Sequence, residues 1–313
     1  MQEICYGCIR VIPGDSGGRF PFCNSLFIDD AVKVVIDPGA GPDKLAEIKN
    51  KHHVDLVLNT HYHFDHIAYN YLFDQAEIRI NEEESNCFRD RREIAARVSM
   101  VQVYGEEWVP GWLDRIARAD SPQSPYTPQN RHEWWLSTAR LDGTYRWGDV
   151  LDFGRTRLEV IAAPGHTAGF SCFYFPNQGV VYTGDIDLTE FGPWYCGTDS
   201  DIDQFIATAR HIARLDADTF ITGHEQGVLT RAEFRHRLDA YLAIIEQREQ
   251  RILSALTEPL DAKQVAALGL IYGKKYLVDD WVRAWEEVAV EKHLRRLVRK
   301  GLAVCRNNKY SRA

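Results

Sequence analysis

The chain reads Leu56-Val57-Leu58-Asn59-Thr60-His61-Tyr62-His63-Phe64-Asp65-His66, an apolar run that ends in three histidines and an aspartate. The apolar part predicts a buried β-strand, and residues two apart in an extended segment project to the same side. His61 and His63 can therefore share one metal ion, whereas Asp65 and His66 lie where the chain turns away. One short segment can thus supply ligands to two neighbouring metal sites.

Three further candidate ligands each follow a glycine later in the chain. They are His166 in Gly165-His166, Asp185 in Gly184-Asp185 and His224 in Gly223-His224. Each follows a predicted strand and has small neighbours, which would let a metal ion approach the backbone closely. A single histidine beside a glycine is more often a hydrogen-bonded loop residue, so none of the three is informative alone. Their order along the chain is the specific signal.

That order resembles the metallo-β-lactamase superfamily, in which an aspartate closes an early strand and is followed by H-x-H-x-D-H, Gly-His, Gly-Asp and a second Gly-His. The resemblance covers about residues 4–229, with Asp37 as the early aspartate. It implies an α+β fold, an αββα sandwich of two mixed sheets packed back to back with helices outside and a dinuclear site at one rim. Asp37 then supports the site without binding metal.

The resemblance also implies a ligand set for two metals. The first metal is held by His61, His63 and His166. The second is held by Asp65, His66 and His224. Asp185 bridges the two ions.

Nitrogen and oxygen donors without a thiolate suit zinc, and they also suit iron or manganese. We therefore expect two divalent ions as cofactors, with zinc favoured. Two cations about 3.5 to 4 Å apart can share a water, lower its pKa and present hydroxide to a carbonyl or phosphorus. The predicted reaction is hydrolysis by a metal-dependent enzyme, with Asp65 or a metal-bound water as the candidate proton donor to the leaving group.

The expected substrate is a small molecule with an ester, thioester or lactone bond. In lactonases similar to this fold, a tyrosine after the Gly-Asp element contacts the substrate carbonyl, and Tyr195 is the candidate equivalent. Glyoxalase II-like thioesterases place an arginine in this region to help hold glutathione. No arginine occurs between Asp185 and Gln204, which lowers the case for a glutathione thioester.

The chain divides into a predicted catalytic domain, residues 1–246, and a small C-terminal domain, residues 247–313, that resembles a winged helix. Residues 85–147 hold five of the eight tryptophans and are predicted to be a helical insertion or lid, broken at residues 121–128. Its rings either pack the insertion onto the body or line an apolar pocket. We expect the apolar part of the substrate to lie under this insertion.

The C-terminal domain is more basic than the rest of the chain. Residues 246–313 contain 14 Lys and Arg against 9 Asp and Glu, although the formal net charge of the chain is −8. The basic residues of 294–302 can meet phosphates or form a solvated face. We favour structural support or a homodimer contact. Two alternatives stay open, an endoribonuclease that holds RNA with this domain and a metal-domain sensor fused to a DNA-binding module.

The composition, 45% hydrophobic and 26% charged, is that of an ordinary globular protein. No apolar run approaches the roughly 20 residues needed to cross a bilayer, and residues 1–5 lack the basic and apolar regions of a signal peptide. The expectation is a cytoplasmic enzyme with no membrane partner.

Overall fold

The computed structural model describes residues 4–119 and 131–313, which form two large β-sheets, a small hairpin and the helices that cover them. The predicted break at residues 121–128 lies outside the described residues. Among the described helices, none combines the length and the apolar character that a membrane crossing requires.

The first sheet has seven strands arranged in chain order. They are β1 (Ile4–Tyr6), β2 (Ile9–Ile12), β3 (Ser25–Ile28), β4 (Val34–Ile36), β5 (Leu56–Leu58), β6 (Glu77–Asn81) and β7 (Gly143–Tyr145). Strands β1 to β4 pair antiparallel, and β4 to β7 pair parallel. Strands β4 and β5 are buried throughout, as expected for parallel strands that are covered on both faces.

The second sheet has six strands in the order β13-β12-β11-β10-β9-β8. They are β8 (Val150–Asp152), β9 (Arg157–Ala162), β10 (Ser171–Phe175), β11 (Val180–Gly184), β12 (Thr219–Thr222) and β13 (Val228–Thr230). Only β11 and β12 pair parallel within it, and α8 (Ile202–Ile212) connects them. Both sheets are therefore mixed.

The two sheets face each other across an apolar core. Ile28, Ile36 and Leu58 of the first sheet pack with Val160 and Phe173 of the second. Helix α1 (Pro42–Lys51) covers the outer face of the first sheet, while α8 and α9 (Arg231–Ala255) cover that of the second. This arrangement confirms the predicted αββα sandwich.

The described part of the region predicted as an insertion, residues 85–119 and 131–147, is largely helical, but the helical part ends earlier than expected. The short helix α2 (Phe64–Ile67) precedes this region. The described helices within the region are α3 (Asn86–Arg89), α4 (Arg91–Arg97), α5 (Met100–Tyr104), α6 (Trp108–Ala117) and α7 (His132–Ser137). Residues 143–145 form the edge strand β7 instead, because their backbone pairs with β6. The boundary predicted at residue 147 is therefore wrong by at least four residues.

The C-terminal region consists of the end of α9, α10 (Ala262–Ala266), α11 (Asp280–Arg299) and a hairpin of β14 (Ala303–Arg306) with β15 (Lys309–Arg312). This order of elements agrees with a winged-helix-like pattern, and the resemblance itself stays a prediction. Helix α9 passes without a break through the boundary predicted after residue 246. Trp281 of α11 packs against Trp108 and Trp112 of α6, so the C-terminal helices share a core with the body.

The basic residues at the end of α11 are engaged in ion pairs within the chain. Arg296 contacts Asp203 of α8 at 2.6 Å and also Glu249 of α9. Arg299 lies 2.9 Å from Asp203, and Lys300 lies 2.7 Å from Glu249. These two acidic residues engage three of the cations that the sequence offered for phosphate contacts. The charges of α11 instead join the C-terminal helices to the body.

Arg296→Met should lower the free energy of unfolding by about 2–3 kcal/mol, because it leaves the buried Glu249 carboxylate with fewer partners. The value is below the roughly 3–5 kcal/mol of a fully isolated buried charge because Lys300 still contacts Glu249. Arg295→Met is the matched control, since Arg295 makes an exposed pair with Glu291 worth less than about 1 kcal/mol. Urea unfolding at neutral pH measures both, and equal losses would contradict the assignment.

Candidate metal centre

The seven candidate ligands lie together at one rim of the sandwich. His61 and His63 follow β5, and α2 carries Asp65 and His66. The other three, His166, Asp185 and His224, follow β9, β11 and β12. Because parallel neighbours end at the same edge of a sheet, strand geometry brings side chains from distant parts of the chain to one place.

Glycine is required next to His166 for a steric reason. Gly165 has a φ of +122°, and a Cβ atom there would lie 2.3 Å from the backbone nitrogen of Phe205. Only glycine combines this backbone conformation with so close an approach to α8. The glycine before the histidine therefore places the imidazole at the rim.

The first group of ligand atoms comes from His61, His63, His166 and Asp185. The Nε2 atom of His166 lies 3.2 Å from Nε2 of His61 and 2.9 Å from Nδ1 of His63. It also lies 3.1 Å from Oδ2 of Asp185. One ligand atom from each residue lies within 4.8 Å of all the others.

The second group comes from Asp65, His66 and His224. The Nε2 atom of His224 lies 3.3 Å from Nε2 of His66 and 3.1 Å from Oδ2 of Asp65. Oδ1 of Asp185 lies 2.8 Å from Nε2 of His66. Asp185 thus directs one carboxylate oxygen to each group, which is the position that a bridging ligand needs.

Backbone carbonyls determine which ring nitrogen is protonated in two of the imidazoles. Nδ1 of His166 lies 3.0 Å from the carbonyl oxygen of Trp194, and Nδ1 of His224 lies 2.9 Å from that of Gly18. A carbonyl oxygen only accepts, so each Nδ1 donates a proton, and in the neutral ring it is Nε2 that holds the lone pair. In both histidines Nε2 is therefore the nitrogen that can bind a metal ion.

Asp37 likewise determines which ring nitrogen is protonated in His66 and, through Thr60, in His61, the other two imidazoles that direct Nε2 toward the ligand groups. Its Oδ2 lies 2.8 Å from Nδ1 of His66 and accepts the Thr60 hydroxyl at 2.6 Å. Because that hydroxyl proton is donated to Asp37, the Thr60 oxygen accepts from Nδ1 of His61 at 3.0 Å. Asp37 is fully buried and ligates neither group, in agreement with its predicted supporting role.

This donor set fits divalent cations. Neighbouring imidazole nitrogens with converging lone pairs repel one another unless a cation lies between them. Oδ1 of Asp185 is buried and, within residues 4–119 and 131–313, has no hydrogen-bond partner. Nitrogen and carboxylate donors at these separations match the preferences of zinc, iron and manganese.

The ionisation of the carboxylate between the groups is set by its neighbours. Burial by itself would raise the pKa of Asp185, but His66 and the other surrounding imidazoles hold it well below its usual range. Burial lowers the pKa of His61 and His63 well below normal, with neighbouring imidazoles adding to the effect. Asp185 is therefore a carboxylate and these two rings are neutral, the forms that bind a metal.

A cavity of about 490 Å³ opens beside the ligands. Its aromatic lining residues are Phe20, Phe64, Phe191, Trp194, Tyr272, Tyr276 and Trp285. The expectation that the apolar part of the substrate lies under the tryptophan-rich insertion is wrong for the described residues, since the insertion contributes Val98 to this wall and none of its tryptophans. Trp112 instead stacks on Trp108 and Trp134, and these rings form a core.

The structure also corrects the role predicted for Tyr195. Its side chain is fully buried and does not line the cavity. Its hydroxyl accepts a hydrogen bond from Arg248 at 2.7 Å and contacts Nε2 of His293 at 2.8 Å. Burial raises its pKa to about 12. The ring points into the interface with α9 and α11, so it does not reach a substrate at the metal groups.

Sequence reasoning missed two buried ionisable residues that hold the loops around the site. Arg248 donates to the carbonyl oxygens of Pro193 and Phe191 at 2.7 and 2.6 Å, and so holds the loop that carries Trp194. Glu84 accepts the backbone N–H of Gly169 at 3.1 Å and the hydroxyl of Thr167, next to His166. The sequence around each of these residues is typical of an exposed helix position. No local pattern could therefore have predicted that their side chains are buried.

Comparison with known proteins supports the assignment of the fold. Residues 18–78 and 93–224 match the sequence profile of the family described as the metallo-beta-lactamase superfamily. A metallo-beta-lactamase family protein from Thermus thermophilus superposes with a TM-score of 0.68 at 20% identity, over 98% of this chain and 99% of that one. A beta-lactamase domain protein from Burkholderia ambifaria gives 0.64 at 16%, over 100% and 94%.

Two curated relatives match part of the chain. A hydroxyacylglutathione hydrolase of Mesorhizobium japonicum is 32% identical over 157 residues, which are 49% of this chain and 57% of that protein. An acyl-coenzyme A thioesterase of Homo sapiens is 26% identical over 164 residues, 51% of this chain and 50% of that protein. The chain spans about half the length of the curated relatives it matches.

Asp37→Asn should weaken metal binding at the second group by about 10–100-fold, because a neutral amide replaces the carboxylate that orients His66. Asparagine tolerates the left-handed conformation of this residue, whose φ is +47°. Competition with a chromophoric chelator measures the affinity, and circular dichroism checks the fold. Asp43→Asn, at an exposed carboxylate of α1, is the control, and equal affinities in the two variants would contradict the role of Asp37.

Glu84→Gln should change how stability depends on pH. Burial raises the pKa of Glu84 to about 8, so the buried acid contributes stability that is complete below its ordinary pKa and is lost as the pH rises through about 8. The stability of the wild type relative to the variant should fall across this window by up to roughly 1.4 kcal/mol per pH unit. Denaturant unfolding from about pH 5 to 9 tests this, and a difference that does not vary with pH would refute it.

Proposed function

The chain belongs to the metallo-beta-lactamase superfamily, and on this basis we propose that it is a hydrolase that cleaves a thioester, or a related ester or lactone, of a small molecule. The observation that carries the proposal is Asp185, which directs one oxygen to each of two ligand groups beside an apolar cavity. Relatives named as a hydrolase and as a thioesterase favour the thioester among these bonds.

Two divalent cations, zinc by preference, would be held by the seven ligands and would activate a water as the nucleophile and stabilise negative charge on the carbonyl oxygen. Asp185 fixes the separation of the two ligand groups through its two oxygens. Asp37, Thr60 and the carbonyl of Trp194 hold the imidazoles in the orientation that presents Nε2. The chain therefore contributes a preorganised set of donors that needs little rearrangement during the reaction.

Asp65 serves better as a ligand than as the proton donor considered above. Burial by itself would raise its pKa, but His66 and His224 hold it below its usual range. Its Oδ2 lies 3.1 Å from Nε2 of His224, which places it within the second group. An ionised carboxylate in this position binds a cation and has no proton to give to a leaving group.

The nuclease and sensor alternatives receive less support from the contacts of α11. Arg296 and Arg299 pair with Asp203 of α8, and Lys300 pairs with Glu249 of α9, so a phosphate backbone would have to compete with these partners. Within the described residues, the charged residues at the cavity, apart from its histidines, are Asp65, Asp185, Asp187 and Glu225, and no lysine or arginine lines it. A polyanion would therefore find no cationic side chain beyond the metal groups, whereas an uncharged small molecule needs none.

The proposal predicts about two metal ions per chain by elemental analysis and chelator-sensitive cleavage of thioesters or lactones. His166→Ala should lower kcat/KM on the order of 100-fold or more, because it removes a ligand of the first group. His53→Ala is the matched control, since the His53 side chain is 74% exposed and lies elsewhere.

Two outcomes would contradict the proposal. Cleavage of phosphodiesters alone by the metal-loaded protein would support the nuclease alternative. A well-folded protein that binds no metal tightly would overturn the ligand assignment.

A further inference from the structure

The C-terminal region supplies one wall of the cavity beside the metal ligands. Tyr272 and Tyr276 come from the segment between α10 and α11, and Val282 and Trp285 come from the first turns of α11. The wall thus belongs to a part of the chain that contains none of the candidate metal ligands. This separation lets the wall determine what binds without taking part in the chemistry.

A continuous set of ring contacts connects this wall to the metal ligands. The ring of Trp194 lies 4.7 Å from that of His63 and 5.9 Å from that of Trp285. Tyr272 lies 6.2 Å from Trp285 and 5.0 Å from Phe191. A group that leaves the metal site in this direction therefore meets mainly aromatic surface, with Val282 beside it.

The wall is held in place by buried polar contacts. Both carboxylate oxygens of Glu286, a fully buried residue of α11, accept backbone N–H groups, from Ile271 at 3.1 Å and from Tyr272 at 2.8 Å. The indole N–H of Trp285 donates to the carbonyl oxygen of Val98 at 3.2 Å. The segment is thus fixed both to α11 and to the insertion, so the cavity is preformed.

The charges at the cavity decide which part of a thioester can enter it. In the described part of the chain, no lysine or arginine is among the residues that line it, and the charged residues besides histidine are acidic. Away from the metal groups, a carboxylate or phosphate placed against the wall of the C-terminal region would lose its hydration without meeting a cationic side chain, which is costly. The part of the cavity lined by Tyr272, Tyr276 and Trp285 therefore suits an uncharged apolar group, and an anionic carrier is better left outside it.

We propose that this cavity binds the apolar acyl group of the substrate and that Tyr272, Tyr276, Val282 and Trp285 select it. The inference rests on the proposed hydrolase function and adds the class of acyl group to it. A volume of about 490 Å³ is within the range of small-molecule sites, so the cavity can hold a medium-length alkyl chain or an aromatic ring. The C-terminal domain is then the specificity-determining part of the enzyme.

The first test compares thioesters of one neutral thiol that differ only in the acyl group, from acetyl to octanoyl, with benzoyl and succinyl added. For the full metal-loaded chain, kcat/KM should rise up to about fourfold for each buried methylene until the cavity is full. The charged succinyl group should be cleaved no better than acetyl. Equal kcat/KM across the alkyl series, or a preference for succinyl, would overturn the inference.

Val282→Trp and Val278→Trp form a matched pair of variants. Val282 lines the cavity, whereas Val278 is 87% exposed and does not line it. Val282→Trp should lower the octanoyl-to-acetyl ratio of kcat/KM about tenfold or more, because the indole fills space that about two methylenes would occupy. Val278→Trp should keep the wild-type ratio. Tyr276→Ala, which enlarges the cavity, should move the preference toward longer chains.

A binding measurement separates failure of this inference from failure of the proposed function. The probe is the octyl thioether analogue, which has CH₂ in place of the carbonyl and cannot be hydrolysed. Binding, followed by calorimetry, should be weaker in Val282→Trp than in Val278→Trp. If no thioester is cleaved but this difference is found, the hydrolase proposal fails and the cavity assignment stands. If thioesters are cleaved and the two variants bind the probe equally, the cavity assignment is overturned.

Discussion

A buried carboxylate has to be satisfied by hydrogen bonds, and Asp37 meets this requirement with groups from both sheets. It accepts from the backbone and side chain of Thr60 after β5 and from the hydroxyl of Tyr182 in β11. It also orients His66 on α2. Because an unpaired charge in this position would cost several kcal/mol, arrangements of the two sheets and the ligand helix that break these contacts are strongly disfavoured. The metal centre inherits its geometry from that constraint.

A second buried charge, the guanidinium of Arg248, lies on the other side of the site and likewise has to be satisfied by hydrogen bonds. Arg248 of α9 holds the carbonyl groups of Phe191 and Pro193, and the adjacent Trp194 both lines the cavity and accepts from His166. A helix that runs into the C-terminal region therefore controls the position of a metal ligand. For this reason the C-terminal helices are better described as part of the site than as an appended module.

The ligand set was predictable because metal ligation imposes local patterns. His61, His63, Asp65 and His66 lie within one short segment, and glycines mark the close approaches at His166 and His224. The errors concern residues whose role depends on distant partners. Tyr195 follows a strand-end loop as a substrate-binding tyrosine would, yet Arg248 and His293, far away in the chain, bind its hydroxyl.

Sequence alone indicated the αββα class and the order of the seven candidate ligands, and it led to the proposal of hydrolytic chemistry, because strand periodicity and metal-ligand spacing are local properties of the chain. Only the tertiary structure decided which surface faces the metal groups. Trp108 and Trp112 of the insertion pack on Trp281, while Tyr272 and Trp285 of the C-terminal region line the cavity. The concentration of tryptophans pointed to the insertion, but aromatic rings suit a core and a pocket alike. The choice depends on how two distant segments pack against each other, which no local pattern encodes.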